Sequence, residues 1–142
     1  MTPTLEPRHE MTADDVDWIE DRLYEFNKAV TGHHDGLGLG FAFVDEAGET
    51  VAAAAGYTWG KISEIKQMWV HEAHRGQGLG RALLDAMVEE ASARGVLRVW
   101  VASYDFQAPG MYEKAGFRRM AEFDGWPEGH VNVILCKTLG ES

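Results

Sequence analysis

Cysteine is all but missing from this chain: Cys136 is its single example, so no intrachain disulfide can form and nothing points to an oxidising compartment. Long apolar runs are missing too. No stretch approaches the ~20 apolar residues of a membrane span, and residues 1–10 carry prolines and charges where a secretory leader needs an apolar segment. A cytoplasmic protein with no membrane partner is therefore expected. Positive charge is scarce: 13 Lys and Arg against 23 Asp and Glu leave a formal net charge of -10. That balance argues against nucleic acid as a partner, because such a surface needs clustered cations to displace counterions, and it favours a cationic one. Repeats, linkers and low-complexity tracts are also lacking, and 142 residues suit a single domain spanning 1–142.

What the chain does have is 45% hydrophobic residues, a globular composition, and 16 glycines spread through turns. Their most telling cluster is Arg75-Gly76-Gln77-Gly78-Leu79-Gly80, between the apolar run Ile65 to Val70 and the helical pattern of Ala82 to Ala93. A strand feeding a glycine-dense turn that opens a helix presents unpaired backbone N–H groups at the positive end of a helix dipole, which is a seat for phosphate. Glycine suits it because main chain without a Cβ can approach a diphosphate closely and take positive φ without strain. Two common phosphate motifs fail here. A P-loop needs Lys followed by Ser or Thr after its last glycine, whereas Gly80 precedes Arg81 and Ala82. A dinucleotide fingerprint starting at Gly76 or Gly78 needs a third glycine where Arg81 or Leu83 stands.

The pattern that remains is Arg-x-x-Gly-x-Gly within Met68 to Leu84, followed about thirty residues on by Ala108-Pro109-Gly110-Met111-Tyr112-Glu113-Lys114-Ala115-Gly116-Phe117. Together, in this order and at this separation, the two segments resemble the acetyl-CoA signature and the later motif of the GNAT acyltransferase superfamily. The resemblance implies an α+β fold of α/β/α layers, with a mixed, mainly antiparallel sheet whose central parallel strand pair is splayed for CoA. It also implies an acetyl-CoA-dependent N-acetyltransferase, with main-chain amides of Gly76, Gln77, Gly78, Leu79 and Gly80 holding the CoA pyrophosphate.

The local patterns are compatible with that fold. Thr12 with Asp14 and Asp15 reads as a capped helix start, and Val16, Ile19, Leu23 and Phe26 carry the helix to about Ala29. Thr31 to Gly40, broken by four glycines, predicts a mobile loop or a short second helix at a pocket rim. Phe41 to Val44 and Val51 to Tyr57 read as a hairpin, and Ile62 to Val70 as a third strand. Leu79 to Ala93 is an amphipathic helix stopped at Gly95, and Leu97, Val99 and Val101 begin a strand parallel to the third. A short helix over Ala108 to Ala115 and two antiparallel strands, Phe117 to Phe123 and Val131 to Cys136, complete the chain.

Direct acyl transfer from a thioester to an amine needs a neutral amine against the carbonyl, donors for the tetrahedral oxyanion and a hydrogen-bond donor for the departing thiolate. No covalent enzyme intermediate is required, so Cys136, in an apolar run without a surrounding motif, is a core residue. The resemblance places Tyr112 beside the CoA sulfur, a backbone N–H among Gln67, Met68, Trp69 and Val70 at the oxyanion, and the pantetheine arm in the strand gap. It places Glu64, six residues before Val70, as the base toward the amine, a role that requires the strand to carry no bulge between them. Asp105, seven residues before Tyr112, stands where the family often has an asparagine that contacts CoA, and aspartate can accept that hydrogen bond but not donate one. Arg75 and Arg81 lie where guanidinium groups could meet CoA phosphates. Tyr57, Trp59 and His130 are the expected substrate contacts, His130 doubling as an alternative proton acceptor. His33-His34-Asp35 and His71-x-x-His74 lack the accompanying ligands of a metal site, so no metal is expected. The acceptor implied is an amine on a small molecule or a protein, and the resemblance also allows a homodimer. The competing reading is a non-catalytic acyl-CoA-binding or regulatory domain that keeps the same loop.

Overall fold

A computed structural model describes Thr2 to Glu141, and the chain divides into two compact units, one ending at His34 and one beginning at Asp35. The first unit is built on helix α1 (Ala13–Thr31). Its start is a capping box: Thr12 Oγ1 accepts from the Asp15 N–H at 3.2 Å while Asp15 Oδ2 accepts from the Thr12 N–H at 2.9 Å. Asp14 and Asp15 complement the positive end of the helix dipole. The helix runs past Ala29 to Thr31 because the first residue in left-handed conformation is Gly32, whose N–H returns to the Lys28 carbonyl at 2.8 Å.

The second unit is a six-stranded mixed sheet in the order β1-β2-β3-β4-β6-β5. Its strands are β1 (Leu37–Val44), β2 (Thr50–Trp59), β3 (Ile62–Val70), β4 (Arg98–Tyr104), β5 (Arg118–Asp124) and β6 (Val131–Thr138). Every neighbouring pair is antiparallel except β3 and β4, which α2 (Leu79–Ala93) connects in parallel. A short helix α3 (Pro109–Lys114) joins β4 to β5.

One expectation fails in the glycine-rich stretch before Phe41. Gly38 and Gly40 do not form a loop or second helix; they lie inside β1, opposite Tyr57 and Ala55. Buried Leu39 anchors that strand, and a Cβ on Gly40 would stand only 3.2 Å from the Ala54 carbonyl oxygen, so glycine here serves close strand approach.

One face of the sheet carries the core. Leu39, Ala52, Ala54, Ile65, Val99, Val101, Val133 and Leu135 pack there against Leu83, Leu84, Met87 and Ala91 of α2 and Tyr112 of α3. Each large side chain buried in this way contributes about 1.5–3 kcal/mol. Cys136 sits half-buried on β6, opposite Trp100 and Arg118.

The strand that decides the function is β3, and it is bulged. Gly56 faces Ile65 while its neighbour Ala55 faces Gln67, so Lys66 is the extra residue that the register steps over. The alternation of β3 changes phase at that point. Ser63 and Ile65 point into the core before the bulge, and Met68 and Val70 pack against the same core after it. Gly56 is the residue that permits this, since a Cβ there would collide with the Glu64 carbonyl oxygen and lie 3.1 Å from Ile65 Cα.

Candidate active site

The bulge has an immediate effect on the parallel pair. β3 and β4 are in register only over Ile62–Ile65 against Arg98–Val101, and beyond Ile65 the strands part. A strand bonded on one side to β2 turns alternate N–H groups the other way, so part of the main chain from Gln67 to Val70 faces the opening. The gap widens into a cavity of about 520 Å³, walled by Met68, Trp69 and Val70 on β3 and by Val101, Ala102 and Ser103 on β4. Arg75, Gly80, Phe106, Gln107, Met111 and Tyr112 complete its lining.

Gly80 belongs to the glycine loop. Gly76 and Gly78 take φ of 79° and 83°, the left-handed region, and a Cβ on either would project into open space. The N-terminus of α2 has Gly78 as its cap, without a side-chain hydrogen bond, and no acidic residue in its first turn. Its leading amides are thus left for another acceptor, in contrast to the self-capped α1. Gly80 is fitted closely: a Cβ there would lie 3.4 Å from Met111 Sδ and 3.7 Å from Val70 Cγ2. Leu79 packs on the core, fixing the angle at which the helix leaves the loop. These features fit a diphosphate on main-chain amides with a thin arm running into the strand gap. Arg75 donates from Nε to the Val70 carbonyl at 3.1 Å and so joins loop to strand. Arg81 turns along α2 instead, paired with Asp85 at 2.9 Å, and is not part of the cavity wall.

Tyr112 reaches the same cavity from α3. Pro109 in the first turn of that helix and the left-handed Gly116 just beyond it hold the turn short. The ring packs edge-on against Phe117 with centroids 5.6 Å apart, and the hydroxyl donates to Met68 Sδ at 3.8 Å. The side chain is buried, and burial pushes the phenol up to about 12 from an ordinary 10.0. A group so reluctant to ionise keeps its O–H as a hydrogen-bond donor at neutral pH and releases the proton poorly.

The remaining sequence candidates separate into two groups that are not part of the cavity wall. Glu64 lies opposite Tyr57 in the β2–β3 register and opposite Trp100 on β4. The bulge puts it on the other face of the sheet from Met68 and Val70, whereas an unbulged strand would have set residues six apart on one face. Lys66 Nζ stands over the Tyr57 ring at 5.6 Å. Trp59, paired with Ile62 beside the Gly60 turn, is at the end of β3 farthest from the opening.

Asp105 and His130 form the second group. Asp105 Oδ1 is 3.1 Å from His130 Nδ1, and its carboxylate does not line the cavity. Sequence reasoning gave no cavity role to Ser103, Phe106, Gln107 or Met111, all of which line it. The alternation of β4 could have found Ser103, which is buried on the face of Val99 and Val101. His71 serves the turn after β3: its Nδ1 accepts from the Ala73 N–H at 3.0 Å.

Comparison with known proteins agrees with this geometry. The model of the acetyltransferase (GNAT) family matches residues 5–117. Blasticidin-S acetyltransferase of Streptomyces morookaense is 34% identical over 97 residues, covering 66% of this chain and 70% of that protein. An acetyltransferase of Agrobacterium fabrum is 28% identical over 119 residues, covering 84% of this chain and 87% of the other. Among solved structures, an acetyltransferase from Bacillus cereus superposes with a TM-score of 0.76 at 23% identity, covering 94% and 98% of the two chains, a likeness of fold.

Proposed function

This chain belongs to the acetyltransferase (GNAT) family and is an acyl-transferring enzyme, and on that premise we propose that it moves the acetyl group of acetyl-CoA directly onto a primary amine. The observation that carries the reading is the coincidence of three features at one cavity. The strand gap opened by the bulge, the uncapped glycine turn at its end and the buried Tyr112 hydroxyl at its wall meet there.

Gly76, Gln77, Gly78, Leu79 and Gly80 hold the pyrophosphate through main-chain N–H groups, and Arg75 adds a charge at the mouth. When bound, the cofactor supplies the activated acetyl group. Met68, Trp69 and Val70 flank its arm, and an N–H from the Gln67 to Val70 main chain stabilises the developing oxyanion. Tyr112 gives a hydrogen bond to the departing sulfur. Its raised value, about 12 against ~8.5 for a thiol, makes complete proton delivery uphill, so charge stabilisation is its role. The relative named for blasticidin-S supports a small-molecule amine as acceptor over a protein one. The net charge of -10 supports a cationic one.

The test is thiol release from acetyl-CoA over a panel of amines, polyamines, aminoglycosides, nucleoside amines and peptides. Release that depends on one class of amine is expected. Tight CoA binding with no release over the whole panel would overturn the proposal.

A further inference from the structure

The geometry points to His130, held by Asp105, as the group that takes the proton from the acceptor ammonium, with Asp105 as its positioning residue rather than a CoA contact. This rests on the acetyl-transfer reading above. An ionised carboxylate can only accept, so the 3.1 Å contact between Asp105 Oδ1 and His130 Nδ1 puts the hydrogen on Nδ1 and leaves the Nε2 lone pair free. The two residues come from turns 25 positions apart in sequence. The main chain ties the two turns together as well, the Asp105 N–H donating to the Val131 carbonyl at 2.8 Å, and the His130 N–H closes its own turn on the Pro127 carbonyl at 2.9 Å.

The dyad adjoins the cavity through one ring. Phe106 is part of the cavity wall and meets the His130 imidazole edge-to-face at 5.1 Å, while its other contact is Tyr104, stacked in parallel at 5.2 Å. Trp126 extends the aromatic group, 5.7 Å from Tyr104. An amine entering along these rings passes the imidazole before it meets the thioester. Glu64, the other carboxyl suited to such a step, is on the face of the sheet turned away from Met68 and is not in the cavity wall.

The step is a proton transfer alone. The ammonium N–H bond breaks, its electron pair stays on nitrogen and becomes the nucleophile, and the Nε2–H bond forms. Asp105 offsets the imidazolium charge, and the half-exposed ring returns the proton to water. The charged group against the ring is Asp105 from the turn after β4; Asp124 and Glu128 belong to the same hairpin as His130. Of these, among the described residues, only Asp105 pairs with it.

The experiment is the pH profile of kcat/KM for the wild type, His130→Gln and Asp105→Asn, with one strongly and one weakly basic amine from the accepted class, beside calorimetric acetyl-CoA affinity. His130→Gln is expected to lose ~100-fold at neutral pH with the strongly basic amine and under ~3-fold with the weakly basic one, which is already neutral. Asp105→Asn is expected to lower kcat/KM ~10-fold at neutral pH with the strongly basic amine and to leave the weakly basic one within ~3-fold, because the amide no longer holds the ring with its hydrogen on Nδ1. Acetyl-CoA affinity should hold within ~3-fold in both variants, since neither residue touches the seat. A folded His130→Gln variant with the wild-type profile for both amines would overturn the dyad and leave acetyl transfer standing. A tenfold loss of acetyl-CoA affinity in Asp105→Asn would return Asp105 to the CoA arm. A wild type that transfers nothing would overturn both readings.

Discussion

Tyr112 combines two properties that pull apart, a position against the cavity and a phenol held at about 12. As a hydrogen-bond donor to sulfur it should be worth ~10–100-fold in kcat, so Tyr112→Phe is expected to lower turnover by that amount with CoA affinity within ~3-fold, measured by thiol release and calorimetry. Its titration also has a stability consequence. The folded value lies above the ordinary 10.0, so the contribution is fully present below pH 10 and is lost as pH rises through about 12. The loss amounts to roughly 3 kcal/mol. Urea midpoints at pH 9 and pH 12 should therefore fall further in the wild type than in Tyr112→Phe. Gly78→Val should raise the CoA dissociation constant at least ~10-fold, because it places a branched side chain at a left-handed φ in the proposed phosphate seat. Equal calorimetric affinity in a folded variant would contradict that. The places of these two residues in the fold were legible in the sequence, Gly78 from a glycine turn before a helical pattern and Tyr112 from the motif that carries the family resemblance. Asp105 was not, since the direction its side chain takes depends on His130, in a turn that only the fold brings near.

At the scale of elements, the bulge in β3 does most to make the site. It ends the parallel pairing, opens the gap and reverses which face each later residue shows. Gly56→Ala should strain it: a loss of about 1–3 kcal/mol is expected in urea unfolding, together with weakened CoA binding as the gap readjusts. An unchanged midpoint would show that the backbone accommodates a Cβ there at no cost. Most elements could be read beforehand from capping residues and periodicity, α2 and β3 to their end residues. The bulge could not. A period-two pattern fixes faces only relative to an assumed phase, and Ile62 to Val70 has polar and apolar residues compatible with either. The glycines of β1 misled for a related reason: they signal a loop in isolation and close strand contact when paired.

The whole molecule is acidic, and this bears on its acceptor. With a net charge of -10, encounter with a polycationic amine should be steered by the protein's field. For such an amine kcat/KM should fall several-fold between low salt and ~0.5 M salt, where the Debye length is only a few ångströms, and a singly charged amine should respond less. A flat response for both would remove charge from the account of specificity. Family membership, the mixed sheet and the acyl-transfer class all stand at this scale, because the glycine loop and the Tyr112 segment occur in the order the fold needs. The acceptor does not follow from either motif, since its surroundings are assembled from turns after β4 and between β5 and β6.

On the proposed acetyl-transfer reading, the gap beyond Ile65 seats acetyl-CoA with its thioester against Tyr112. The most direct measurement is nuclear Overhauser contact between the acetyl methyl of a slowly reacting acetyl-CoA analogue and a protein labelled at methionine methyls and tyrosine rings. Contacts are expected from that methyl to the Met68 methyl and the Tyr112 ring, weakened in step with affinity by Gly78→Val. Tight binding with the acetyl methyl in contact with neither residue would contradict it.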